Sequence, residues 1–330
     1  MTTIAPSRLA TLWQEILTLS QVKPTETVIV VDTPNRINPY PEMAITQAKS
    51  LGATAEYLEV PGRTDLPEDA VALLKTADLI IDLAFILDGR IRDCRNGGTR
   101  VLVVLEPPEI LERMLPTLAD KQRAMVARDR LQKAKTMRVT SKAGTDFSVE
   151  LGEFPGMCQY GFADEPGHWD QYPGAFAFTF PNEGSANGVV VCDWGDIIYP
   201  FFTYIQEPIT LTIENGFIRE ITGGVDAEEM RSFMERYQDP EVYAISHIGW
   251  GLSRTASWEA MGQYEKGQTE GQDGRAFYGN FLFSTGPNSV GGGLRTTPCH
   301  LDIPMQGCSL FLDDEPMVLE GIVVAAGQQA

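Results

Sequence analysis

The chain opens on a helical stripe. Leu9, Leu12, Trp13, Ile16 and Leu17 recur at spacings of three and four, which predicts an amphipathic helix in the first twenty residues. "TVIVVD" (27–32), "DLIIDLAF" (78–85) and "TRVLVVLE" (99–106) are instead unbroken apolar runs of strand length. Such runs predict strands covered on both faces, as in a parallel sheet. "PEMAITQAKSLGA" (41–53), with its stop at Gly52, and "PEDAVALLKTA" (67–77) predict helices between them, and "TAEYLEV" (54–60) predicts a further strand. The alternation implies an α/β domain, a parallel sheet with helices on both faces. "PPEILERMLP" and the highly charged "DKQRAMVARDRLQKAKT" (120–136) predict two more helices, the second closing the domain, 1–136.

The texture then changes. "MRVTSKAGTDFSVEL", "GVVVCDWGDIIYP" and "PITLTIENGFIREITGG" read as strands broken by turns, with Asn215-Gly216 as a tight hairpin. "DAEEMRSFMERY" and "SRTASWEAMGQYEK" read as helices. Residues 137–330 are therefore expected to form an α+β domain rich in antiparallel strand.

Composition narrows the function. A net charge of −19 excludes surfaces built for nucleic acid or anionic membranes, both of which need concentrated positive charge. No apolar run reaches the length of a membrane span, and the first residues lack the basic start and apolar block of a signal peptide. The expected location is the cytoplasm. Five cysteines without a C-x-x-C pair are expected as reduced thiols. No G-x-G-x-x-G or P-loop follows the early strands, so a nucleotide cofactor is not expected. A chain of this size and apolar content is expected to form a homo-oligomer.

The chemistry concentrates in "TPCHLDIP" (297–304). Prolines on both sides disfavour helix, and in an extended segment residues i and i+2 share a face. His300 and Asp302 would then point one way while Leu301 enters the core. A mononuclear non-haem iron site needs one more ligand and open positions beside it, the two-histidine, one-carboxylate face. His247, in "YAISHIGWGLS", is either that ligand or a hydrogen-bonded core residue. His168, among Asp164, Glu165 and Asp170, is a competing cation site or a solvated loop.

"SHIGWGLS", "GRAFYGNFLFSTGPN", "TTPCHLDIP" and "EPPEILERMLP", together with "YGFADEPGHWD", "FPNEGSANG" and "LDDEPMVLEG", resemble the 2,5-dihydroxypyridine 5,6-dioxygenases, iron(II) ring-cleaving enzymes of nicotinate degradation. The resemblance runs over nearly the whole chain. More distantly the pattern is similar to metallo-aminopeptidases of the aminopeptidase T type. It implies Fe(2+) held by His247, His300 and Asp302, with a small hydroxylated heteroaromatic and dioxygen as partners and C5–C6 cleavage to N-formylmaleamate. It departs at Asp88 and Gln171, where the family pattern carries histidines, and this bears on the ring that is bound. Asp88, as a carboxylate with a raised pKa, and His168 are the candidate proton-transfer groups. Leu87, Gln171, Glu183 and Ser284 are the candidate substrate contacts. A two-metal hydrolase would need more ligands than these, with His168 among them.

Overall fold

The computed structural model describes residues 4–34 and 39–329, and the chain clusters into two compact units. Unit 1 is Met1–Leu118, Gln159–Gly174 and Gln268–Glu270; unit 2 is Ala119–Cys158, Ala175–Gly267 and Gly271–Ala330. The chain is thus not divided by one cut near residue 136. Helix Leu118–Lys133, expected to close the first domain, falls almost wholly in unit 2. There it buries only a narrow stripe of Ala124, Ala127 and Leu131. The Gln132 side chain accepts the Gly156 N–H at 3.0 Å, and Arg130 pairs with Glu315.

Unit 1 is the α/β domain. Its five strands lie side by side in the order Thr54–Glu59, Thr27–Asp32, Leu79–Asp82, Arg100–Val104 and Trp169–Tyr172, all parallel. Ile29 and Val31 face one layer, with Val71 and Leu74 of helix Glu68–Leu74 and Cys94 of helix Arg90–Asn96. Helix Pro6–Leu19 buries the five residues of its predicted stripe and has no side-chain N-cap. At roughly 1.5–3 kcal/mol for each fully buried large apolar side chain, packing rather than capping holds it. Trp13 meets Tyr40 of helix Tyr40–Ser50 edge-on, with ring centroids 5.6 Å apart.

Unit 2 is built on two sheets that are antiparallel in every paired register. An eight-stranded sheet contributes Phe147, whose ring lies 6.4 Å from Phe281 and 5.9 Å from Phe283 of a five-stranded sheet. That second sheet carries, in spatial order, Leu301–Met305, Phe281–Thr285, Ile245–Gly251, Phe176–Thr179 and Met157–Gln159. The Asn-Gly hairpin forms as predicted, with φ of 50° at Asn215 and 83° at Gly216, the pair of left-handed residues that such a turn demands. The helix expected over 253–266 shrinks to a six-residue 3-10 turn, Trp258–Gln263. Trp258 and Met261 pack with Ile197 and Tyr199, and the Trp258 indole N–H donates to the Gly195 carbonyl at 2.8 Å. Burial of these side chains, not helical periodicity, sets the local path.

All five cysteines are free thiols. Among the described residues no helix is long and apolar enough to cross a membrane.

Candidate metal centre

Three neighbouring strands of unit 2 bring the ligand candidates together. On Ile245–Gly251, Ile245 lies opposite Thr285 but Ile248 lies opposite Phe283. Three steps along one strand match two along the other, which is a β-bulge at residues 246–247, a device that re-aims a side chain. His247 is the sole partly open position in that otherwise buried strand. Two residues on, Gly249 permits a close approach, since a Cβ there would stand 1.9 Å from the Ala177 carbonyl oxygen. The rings of Phe178 and Phe180 wall the imidazole at centroid distances of 5.5 and 6.0 Å.

Asp302 is fixed from both sides. It pairs with Ser284 across the sheet, and on its other side its backbone exchanges two hydrogen bonds with Tyr199, at 2.8 and 3.2 Å. Leu301 is fully buried beside it, as the extended reading of this segment required. His300 stands immediately before the strand. Its Nδ1 lies 2.8 Å from the Thr285 carbonyl oxygen. A carbonyl can only accept, so Nδ1 carries the proton and the Nε2 lone pair points the other way.

That atom faces two further candidate ligand atoms. His300 Nε2 lies 3.3 Å from His247 Nε2 and 3.3 Å from Asp302 Oδ1, and His247 Nε2 lies 3.1 Å from the same oxygen. Asp302 Oδ1 is buried and receives no hydrogen bond. Its partner Oδ2 accepts from Arg275 Nε at 2.7 Å. Three potential ligand atoms thus converge on one point, as they would around a cation. An ion about 2.1 Å from three ligands at right angles would set them about 3.0 Å apart, close to the spacing seen. Two imidazoles and one carboxylate therefore fit a divalent transition metal, with one face left open. Among the described residues this is the one group of three or more such side chains within ligand reach of one another.

The charges agree with this arrangement. Burial pushes the His247 imidazole below its usual pKa, against the pull of Asp302. Burial acts downward on His300 too, but the Asp302 carboxylate and the Thr285 carbonyl lift it. Asp302 resists burial and is held well below the carboxylate range by His300, Arg275 and His247. The carboxylate is thus ionised, as a ligand must be.

The other candidates lie elsewhere or are already engaged. In unit 1, Leu87 and Asp88 follow the C-terminal end of strand Leu79–Asp82 and line a cleft of 680 Å³ with Thr64, Asp65, Leu66 and Arg90. Asp88 was expected to act as a proton acceptor with a raised pKa, and here a correction is needed. Its Oδ1 accepts from the Arg90 backbone N–H and Nε, and its Oδ2 from Arg90 Nη2 and the Leu66 N–H. The Arg90 guanidinium drives its pKa far below the usual range. It anchors a loop. Leu87 is largely exposed.

His168 precedes strand Trp169–Tyr172, and its carbonyl accepts from the Val101 N–H, so it sits at the N-terminal ends of the parallel strands, whereas Asp88 follows the C-terminal end of the central one. The two expected proton-transfer groups are not brought together. His168 Nδ1 lies 2.7 Å from the Tyr160 hydroxyl, and Nε2 lies 3.4 Å from Asp170. Burial pushes Asp170 up to about 8, although the N–H groups of Tyr160, Gly161 and Gln171 oppose it. Gln171 is buried in the same strand.

In unit 2, Glu183 accepts from Asn288 Nδ2 and Arg295 Nη1, each at 2.6 Å, which ties the 288–295 loop down. Ser284 is fully buried and donates to the His247 carbonyl at 2.6 Å. It steadies the ligand strand from behind. Nothing in the residue pattern points to Arg275, Thr285 or Tyr199. Arg275 lies 27 residues from the carboxylate it grips, and no spacing rule links the two.

Comparison with known proteins places this geometry. Residues 8–325 match the family model of 2,5-dihydroxypyridine 5,6-dioxygenase. A curated 2,5-dihydroxypyridine 5,6-dioxygenase of Pseudomonas putida is 45% identical over 345 residues, covering 98% of this chain and 97% of its own. The solved structure of 2,5-dihydroxypyridine dioxygenase from Pseudomonas putida KT2440 superposes with a TM-score of 0.95 at 43% identity, over 99% of this chain and 100% of that one. AmpT from Thermus thermophilus shares the fold alone, with a TM-score of 0.64 at 14% identity over 97% and 100% of the two chains. With a match across almost its whole length, the chain belongs to the 2,5-dihydroxypyridine 5,6-dioxygenase family, a family of ring-cleaving dioxygenases.

Proposed function

We propose that the chain is a mononuclear non-haem iron(II) dioxygenase that opens 2,5-dihydroxypyridine between C5 and C6 to give N-formylmaleamate. Both atoms of dioxygen enter the product, so no external reductant is consumed. The observation that carries the reading is the convergence of two imidazole Nε2 atoms and one carboxylate oxygen within 3.1–3.3 Å of one another. The family relationship supports the ring and the reaction.

Iron(II) bound there supplies the electrons that let ground-state dioxygen react with a closed-shell ring. The protein's own part is positional. Thr285 holds His300 in the tautomer that leaves Nε2 bare, and Ser284 and the bulge hold His247. Asp302 brings one negative charge, and Arg275 meets it with one positive charge on the outer oxygen. Phe178 and Phe180 keep water from one side of His247, while His300, 35% exposed at its side chain, marks the open side. Asp88 and Glu183 are committed to arginines, so the ring hydroxyl's proton goes to another acceptor. The same reading gives a cytoplasmic enzyme and a homo-oligomer.

The test is anaerobic loading of metal-stripped protein with ferrous salt, followed by oxygen uptake across hydroxypyridines and hydroxybenzoates. One dioxygen per 2,5-dihydroxypyridine, with none before loading, is the expected result. Full turnover by the stripped protein, or uptake only with a different ring, overturns the proposal.

A further inference from the structure

Asp302 is the one ligand candidate with two atoms that could reach an ion, and only one of them faces the centre. Oδ1 looks toward both imidazoles, and Oδ2 is held by Arg275 Nε at 2.7 Å. Arg275 is itself locked in place. Its guanidinium carbon lies 4.4 Å from the centroid of the Tyr199 ring, within stacking distance. Tyr199 in turn exchanges backbone hydrogen bonds with Asp302 on the strand edge. The turn that brings Arg275 in, helix Gln272–Ala276, lies close on the same ring. A Cβ at Gly271 would stand 2.3 Å from it and one at Gly274 would stand 2.6 Å from its hydroxyl oxygen. Gly271 also has a left-handed φ of 82°. Carboxylate, arginine and tyrosine thus form a closed clamp.

We propose that Arg275 is a positioning residue that keeps Asp302 a one-atom ligand and so holds a coordination position open for the second reactant. The inference rests on the iron reading above. A carboxylate bound through both oxygens takes two positions at a metal, while one bound through a single oxygen takes one. With His247, His300 and a one-atom Asp302, a six-coordinate ion keeps three positions, enough for a chelating ring and dioxygen together. Release of Oδ2 would close one of them. A second consequence separates positioning from mere support. Arg275 puts a positive charge beside the cation, so removing it strengthens cation binding, whereas a purely structural residue, once removed, weakens it.

The experiment uses the metal-stripped full chain titrated with cobalt(II), whose visible absorption changes with the identity and arrangement of its ligands. Wild type is expected to saturate at one equivalent. Arg275→Met should bind cobalt at least as tightly, with a visible spectrum shifted from that of the wild type. Its iron form should lose about 10–100-fold in kcat/KM for dioxygen, the usual cost of losing a partner of a metal ligand. Arg275→Lys, which can still donate to Oδ2, should recover part of both signals. An Arg275→Met protein with wild-type spectrum and wild-type dioxygen kinetics overturns the inference. So does one that loses cobalt as fully as Asp302→Ala, which would make Arg275 a structural support. A wild-type protein that gives no cobalt spectrum overturns the metal centre itself, and is distinguishable from either.

Discussion

Asp88 in unit 1 and Asp302 in unit 2 are both carboxylates gripped by an arginine, and their second oxygens tell them apart. Asp88 follows a parallel strand, and each of its oxygens accepts hydrogen bonds, from Arg90 and from the Leu66 N–H. Asp302 sits within an antiparallel strand, and Arg275 serves Oδ2 while Oδ1 receives nothing. Glu183 repeats the first pattern, with Arg295 and Asn288 as donors. A saturated carboxylate is finished within the protein, and its energy goes into holding a loop. An unsaturated buried one costs stability unless something from outside completes it. Incompleteness, not charge, sets Asp302 apart from the other two.

The largest effect should come from removing a member of the incomplete set. His247→Ala, His300→Ala and Asp302→Ala are each expected to drop bound iron from about one per chain to background and to abolish oxygen uptake. Chelation should do the same to the wild type, and ferrous salt with a reductant should restore it. Because His300 helps to hold the buried Asp302 carboxylate ionised and bonds the Thr285 carbonyl, His300→Ala should also lower the unfolding midpoint of the metal-free protein. Metal analysis and urea unfolding of the same samples read both outcomes. Unchanged iron in the His300 variant would erase the distinction between the two kinds of carboxylate.

A saturated site should break differently. Arg295 also donates to the Ile245 carbonyl at 2.8 Å and to the Gly286 carbonyl at 3.2 Å. Arg295→Met leaves Glu183 and both carbonyls without that donor, and is expected to cost about 2–4 kcal/mol of stability. Iron content per folded chain should stay near wild type. A variant as stable as wild type would show that the knot adds nothing.

Much of this was legible in the sequence, and the reasons are local. The stripe at Leu9, Leu12, Trp13, Ile16 and Leu17 and the run at 27–32 form as the pattern predicts, because one segment's own burial decides them. His300 and Asp302 share a side because two prolines force extension. What stayed hidden depends on distant partners. Trp169–Tyr172 becomes the edge of the parallel sheet through pairing with Arg100–Val104, and "WDQY" carries no apolar run to announce it. Helix Leu118–Lys133 is charged on most sides, so nothing in its pattern names the unit it joins. The bulge that aims His247 is a mismatch between two strands, invisible in either alone. Saturation was hidden for the same reason: Asp88 reads as a candidate base until Arg90 and Leu66 are seen around it.

The smallest effect should fall on Asp88, and it is the sharpest check on the comparison. Asp88→Asn keeps one carbonyl oxygen but turns the other position into a donor facing the Leu66 N–H and Arg90. A loss of about 1 kcal/mol is expected from the broken hydrogen bonds. Turnover should stay within about threefold of wild type, far from the 10²–10⁴-fold cost of removing a general base. The pH dependence has a definite sign. Arg90 holds the folded-state pKa of Asp88 far below its unfolded value, about 3.9. The ionised carboxylate therefore stabilises the fold in full above about pH 4, and that contribution fades as pH falls toward the folded pKa. The gap in unfolding free energy between wild type and Asp88→Asn should be constant from pH 5 to 8 and narrow below about 4. An activity loss of a hundredfold or more with unchanged stability would return Asp88 to the list of proton acceptors and end its use as the saturated counterpart of Asp302.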